Sequence, residues 1–82
     1  MADKTVHLHY YAQLREGRGL SQETVTTQAS TVQELYAELK EKYRFSLPVH
    51  RLRVAVNDEF VSWETPLKPE DTIVFIPPVA GG

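Results

Sequence analysis

The 82-residue chain contains no cysteine, which excludes disulfides, thiolate metal ligands and a thiol nucleophile. It has no excess of basic charge either: nine Lys and Arg stand against eleven Asp and Glu, for a formal net charge of −2. A surface that sought phosphate would carry the opposite balance, so nucleic acid is not an expected partner. No apolar run is long enough to cross a bilayer and no basic-then-apolar leader opens the chain, so no membrane partner is expected and the expected location is cytoplasmic. Glycine is scarce, at four residues. Gly17-Arg18-Gly19 lacks the third glycine and following helix of a dinucleotide loop, and no P-loop is present. With neither a cysteine nucleophile nor a serine elbow, the chain shows no self-contained active site. His7 and His9 form an H-x-H pair on one strand face, but a metal site needs three or four ligands and no third is near. They read as solvated strand histidines, and no metal is expected.

What is present reads as a small α+β domain. Val6, Leu8 and Tyr10 alternate with His7, His9 and Tyr11, the period of a strand with one apolar face. Residues 13–21, with Gly17 and Gly19, are expected to form a loop into a more polar second strand over 23–27 that turns Val25 inward. Ser30 and Thr31 each precede a capping-box partner, Gln33 or Glu34. Val32, Leu35, Tyr36, Leu39 and Tyr43 then recur at helical spacing on one stripe, and Glu38 and Lys42 are spaced for an i,i+4 pair. Leu52, Val54 and Val56 mark a third strand. Asn57-Asp58 suits a tight turn into a short strand at Phe60-Val61. Thr72-Ile73-Val74-Phe75-Ile76 is β-branched and aromatic, a last strand. Strand, strand, helix, strand, short strand, strand requires a mixed sheet with one main helix packed on one face. That is the β-grasp, ubiquitin-like arrangement, expected over residues 1–76.

Residues 77–82 form an extended tail with no charged side chain; the last one in the chain is Asp71. Pro77 and Pro78 cannot donate to a ladder and stiffen the base, Val79 and Ala80 are small and apolar, and Gly81 and Gly82 have no Cβ. Fully extended, six residues reach roughly 20 Å beyond the sheet. Flexible chain ends are often small too, but a frayed end is usually more polar than this. Such a tail suits delivery of a terminal carboxylate into another protein's narrow channel. Strand alternation adds a surface beside it. If Leu8, Tyr10, Val54, Val56, Ile73 and Phe75 face the helix, then Tyr11, Ala55, Val74 and Ile76 face away, with Phe60 on the short strand nearby. An apolar set on an open sheet face points to a partner.

Tyr11-Ala12-Gln13-Leu14-Arg15-Glu16, Val54-Ala55-Val56-Asn57, Pro66-Leu67 and above all Phe75-Ile76-Pro77-Pro78-Val79-Ala80-Gly81-Gly82 resemble the MoaD/ThiS sulfur-carrier family, in its molybdopterin synthase branch. The likeness runs in order along nearly the whole chain. It implies that an ATP-dependent, E1-like enzyme adenylates the Gly82 carboxylate, that a sulfur donor enzyme converts the adenylate to a thiocarboxylate, and that no cofactor is permanently bound. It further implies a 2:2 heterotetramer with a large subunit that supplies the catalytic lysine. There sulfur passes to cyclic pyranopterin monophosphate to build the molybdopterin dithiolene of the molybdenum cofactor. The family's interface residues add Phe60 and Arg15 to Tyr11 and Ile76 as docking residues, with Pro77, Pro78, Val79, Ala80 and Gly81 following into the partner. The family commonly has Phe where Tyr10 and Tyr11 stand, so the Tyr11 hydroxyl needs a polar partner if that side chain is buried. A carrier for another product such as thiamine, or a ubiquitin-like modifier or binding module, remains open on these residues.

Overall fold

The computed structural model describes residues 3–45 and 47–77. Its elements are β1 (Lys4–Tyr10), α1 (Ala12–Arg18), β2 (Gln22–Thr27), α2 (Val32–Tyr43), a 3₁₀ turn at Val49–Arg51, β3 (Arg53–Val56), β4 (Glu59–Val61) and β5 (Thr72–Ile76). The five strands form one sheet in the order β2-β1-β5-β3-β4. β1 and β5 pair in parallel at its centre, and the other three ladders are antiparallel. This is the expected β-grasp: first and last strands side by side, with α2 crossing between the two hairpins.

Register puts the predicted apolar set on one face. Val6, Leu8, Tyr10, Ile73, Phe75 and Val54 are essentially inaccessible, as are Val32, Leu35 and Tyr36 of α2, with Leu39 nearly so. Burying such side chains contributes about 1.5–3 kcal/mol each before conformational entropy is charged against it. Trp63 stacks on Phe75, their centroids 6.0 Å apart, and Tyr36 meets Phe75 at 5.1 Å. α2 starts at Thr31, whose hydroxyl oxygen accepts from the Glu34 N–H at 3.2 Å. Glu34 reaches back to the Ser30 N–H at 2.8 Å. The two candidate caps therefore divide the work, Thr31 accepting and Ser30 donating. The helix stops where Arg44 turns left-handed, at φ 59°.

Three expectations need correction. Residues 13–21 are not simply a loop: α1 occupies Ala12–Arg18, ended by Gly19 in the left-handed region at φ 83°, where its N–H donates to the Arg15 carbonyl. Leu14 is buried, and one anchored apolar residue with a glycine stop suffices for two turns. Glu38 does not serve as the partner of Lys42; its carboxylate accepts instead from the Thr27 hydroxyl, at 2.8 and 2.9 Å. Ala55 lies on the face away from α2 as expected but is buried, at 8 % exposure. Its short side chain sits between its cross-strand partners Val74 and Phe60.

The Asn57-Asp58 turn has both residues at positive φ, 53° and 73°, as a two-residue hairpin of the right twist requires. Asn57 also ties this turn to the start of β5: its amide donates to Asp71 at 2.9 Å and its carbonyl oxygen accepts from the Thr72 N–H at 3.0 Å. Asp71, buried, takes a second hydrogen bond from the Lys68 N–H. That clamp sets where β5 begins, and thus where it runs out at Ile76.

Candidate functional site

The open face of the sheet is laid out by its ladders. One row reads Gln22, His9, Val74, Ala55, Phe60 across all five strands. It passes from polar at the β2 edge to apolar at the β4 edge. Ile76 lies opposite Arg53 in the next row. Tyr11 continues the extended backbone of β1, with φ −127° and ψ 154°. Because Tyr10 is in register with Phe75, Tyr11 comes alongside Ile76. Of the residues predicted for docking, Phe60 is 66 % exposed and Tyr11 51 %, while Ile76 is half-buried. Arg15 is exposed on α1, one helical turn beyond Tyr11. Pro77, the first residue of the predicted tail, is buried. Pro78, Val79, Ala80, Gly81 and Gly82 lie outside the described residues.

Sequence reasoning missed the arginine wall, with a histidine beside it, at this corner. His50, Arg51 and Arg53 border a groove of about 520 Å³ with Phe60, Ile76 and Pro77. The Arg53 guanidinium carbon lies 5.7 Å from the Phe60 ring centroid, within cation–π range. The signal was present in the alternation of Arg51, Leu52, Arg53 and Val54, in which the second arginine must share the outward face with Ala55.

α1, which carries Arg15, is fastened to the sheet by a polar network that the Tyr10 hydroxyl requires. Tyr10 is fully buried, and its phenol donates to Glu23 Oε2 at 2.6 Å. Arg18 grips the same carboxylate with two hydrogen bonds, of 3.0 and 2.8 Å, and its guanidinium lies 4.1 Å over the Tyr43 ring. Burial works against the charge on Glu23, yet the hydrogen bonds from Arg18 and Tyr10 outweigh it and hold the carboxyl below its ordinary value. Tyr10 is pushed far upward, by burial first and then by the carboxylate that accepts its hydrogen bond. The exposed Tyr11 needs no such arrangement.

At the polar end of the face, His7 lies between Thr24 and Glu70, at 3.2 and 2.8 Å. Among the described residues, no three His, Cys, Asp or Glu side chains assemble into a metal-holding group, and no helix is long and apolar enough to cross a membrane.

The apolar end of the open face and a strand that ends at Ile76, just before buried Pro77, thus converge where the uncharged segment starts. The model of the ThiS family matches residues 8–82, and so takes in both the face and that segment. The chain belongs to the ThiS family. It is 34 % identical over 76 residues to the molybdopterin synthase sulfur carrier subunit of Escherichia coli K12, covering 89 % of this chain and 94 % of that one. Among solved structures it is similar to the complex of subunits 1 and 2 of the molybdopterin-converting factor of Helicobacter pylori, with 30 % identity, a TM-score of 0.64, and coverage of 95 % of this chain and 99 % of that one. The small archaeal modifier protein 1 of Haloferax volcanii superposes more closely, with a TM-score of 0.78 over 93 % of this chain and 99 % of that one. At 19 % identity that likeness shows the fold alone. Family and relatives together support a sulfur-carrier role.

Proposed function

We propose that this ThiS-family chain is the sulfur-carrier subunit of a molybdopterin synthase and that its working group is the Gly82 carboxylate. The observation that carries the reading is continuity: exposed Phe60 shares a groove with Ile76, exposed Tyr11 follows the strand beside it, and the backbone leads directly from Ile76 into the Pro-Pro-Val-Ala-Gly-Gly segment of residues 77–82. A partner seated on the face would receive that segment.

A free carboxylate is a poor electrophile. An E1-like enzyme joins it to AMP with loss of pyrophosphate from ATP, and a sulfur donor enzyme displaces AMP to leave the thiocarboxylate. The domain, residues 1–76, then docks on the large subunit, and residues 77–82 carry the sulfur to cyclic pyranopterin monophosphate. Each dithiolene takes two sulfurs, so carriers act in succession, in keeping with a 2:2 assembly. Glycine at 81 and 82 suits passage through a narrow channel, since it clears walls that a Cβ would strike. No resident cofactor is invoked; ATP belongs to the activating enzyme.

The experiment is reconstitution with an activating enzyme, ATP and a sulfide source. Intact mass should rise by the exchange of one oxygen for sulfur at Gly82, and the charged protein with the large subunit should convert the pyranopterin to molybdopterin. A charged protein that transfers sulfur only to a thiamine precursor, or one that instead forms amides with lysines, would replace this reading.

A further inference from the structure

The groove at the root of the tail holds more charge than an apolar docking face requires. Leu52, Phe60, Ile76 and Pro77 give it apolar walls, and His50, Arg51 and Arg53 line the rest. All three basic residues are exposed, and no Asp or Glu lines the groove. Among the described residues Arg18 pairs with Glu23 and His7 meets Glu70, and no carboxylate pairs with Arg51 or Arg53, so neither groove arginine is neutralised there. This concentration runs against a net charge of −2 for the chain. Both arginines stand on ordered backbone, Arg51 closing the 3₁₀ turn and Arg53 opening β3 opposite Ile76. Their forks are thus presented from fixed positions, and a guanidinium fork matches a carboxylate in two-point geometry.

We propose that this groove takes an acidic segment of the synthase large subunit, whose carboxylates pair with Arg51 and Arg53 while its apolar side chains lie on Phe60 and Ile76. The inference rests on the proposed sulfur-carrier function and names a second recognition element for it. Its position gives it a purpose: Pro77 is part of the groove, so an anchor there fixes the segment that follows relative to the channel it enters. Partly solvated charge pairs of this kind govern encounter rate and register more than packing does. They are also screened by salt, whereas apolar contacts are not.

The test is calorimetric titration of the chain with the purified large subunit of the same synthase, at about 50 mM and about 500 mM salt. R51E/R53E should bind at least about tenfold more weakly than wild type at low salt, with the gap closing at high salt. R51K/R53K should stay within a few-fold of wild type, and thermal unfolding of both should match it. Equal binding by wild type and R51E/R53E at low salt would overturn the groove and leave the sulfur-carrier reading standing. A loss of the same size at both salt concentrations would also overturn it, since packing rather than charge would then be responsible. Failure of wild type itself to bind would remove both.

Discussion

Ala55 and Phe60 are direct cross-strand partners, yet one is 8 % exposed and the other 66 %. The ladder therefore carries its apolar content outward, from a shielded small residue in the middle of the sheet to an aromatic ring left in water at the β4 edge. Nothing in the fold needs that ring in water. A surface that will be covered accounts for it, because aromatic anchors dominate binding energy once desolvated.

Phe60→Ala should therefore cost 2 kcal/mol or more in binding to the large subunit, about thirtyfold in affinity, with little change in melting temperature. Phe60→Asp should do worse, by carrying an unpaired charge into a dry contact. Titration beside thermal unfolding separates the possibilities. If Phe60→Ala unfolded the isolated chain, the ring would be structural after all.

Chemistry at the tail should be separable from stability in the same way. Deleting Gly82, or appending a residue to it, should abolish thiocarboxylate formation as read by intact mass, while urea unfolding keeps its midpoint. Gly81→Val should still be adenylated to some extent but should transfer sulfur far more slowly, because a branched Cβ narrows the accessible backbone angles and widens the tip. An equal fall in stability and transfer would make the glycines structural.

Much of this was legible from residue pattern. The Thr72–Ile76 strand and the Val32, Leu35, Tyr36, Leu39 stripe declared themselves because periodicity and β-branching report on burial directly. α1 did not, because a two-turn helix with Leu14 as its buried anchor has too few positions to establish a 3.6-residue period. Phe45 was also missed: it follows the helix with no periodic context, yet it is buried against Tyr10, Tyr36 and Tyr43. At the site, alternation found Tyr11 and Ile76. The resemblance added Phe60 and Arg15. The Arg51–Arg53 wall emerged only when the turn before β3 placed both beside Pro77.

Alkaline pH should destabilise the fold through its buried phenols. Burial raises Tyr36 from 10.0 to about 12, and its hydroxyl donates to the Leu47 carbonyl at 2.7 Å; Tyr10 is raised further. Because the folded values exceed the unfolded one, the unfolded chain loses these protons first. The associated stability is complete below about pH 10 and is lost as pH rises through the folded values. Tyr36→Phe should cost about 1 kcal/mol near neutral pH and should flatten the decline in melting temperature above pH 10. A decline as steep as that of wild type in both Tyr36→Phe and Tyr10→Phe would assign it to other groups.

Glu23 should set the acid side. Its carboxyl is held below the ordinary value by Arg18 and Tyr10 against the opposing effect of burial, and its side chain is only 13 % exposed. The sign is opposite to that of the phenols: the unfolded chain takes up the proton first as pH falls. The stabilisation is therefore present above the ordinary carboxylate value of about 4.3 and disappears as pH falls through the lowered one. Glu23→Gln keeps the size and an acceptor for Tyr10 but removes the charge from the Arg18 fork. At pH 7 it should lose about 1–2 kcal/mol, since Arg18 is itself partly solvated and the pair is screened. Below the ordinary carboxylate value the gap to wild type should narrow, because the unfolded wild-type chain there takes up a proton that the folded one still excludes. Urea unfolding of both proteins between pH 2 and pH 7 measures this difference directly, and subtracting the curves cancels every other carboxylate. Arg18 closes α1 one turn after Arg15, so the variant should also loosen the helix that presents Arg15, visible as faster amide exchange at Gly19, whose N–H caps onto the Arg15 carbonyl at 2.8 Å. A pH-independent gap with unchanged exchange at Gly19 would mean that Glu23 contributes only packing and that α1 is held by Leu14 alone.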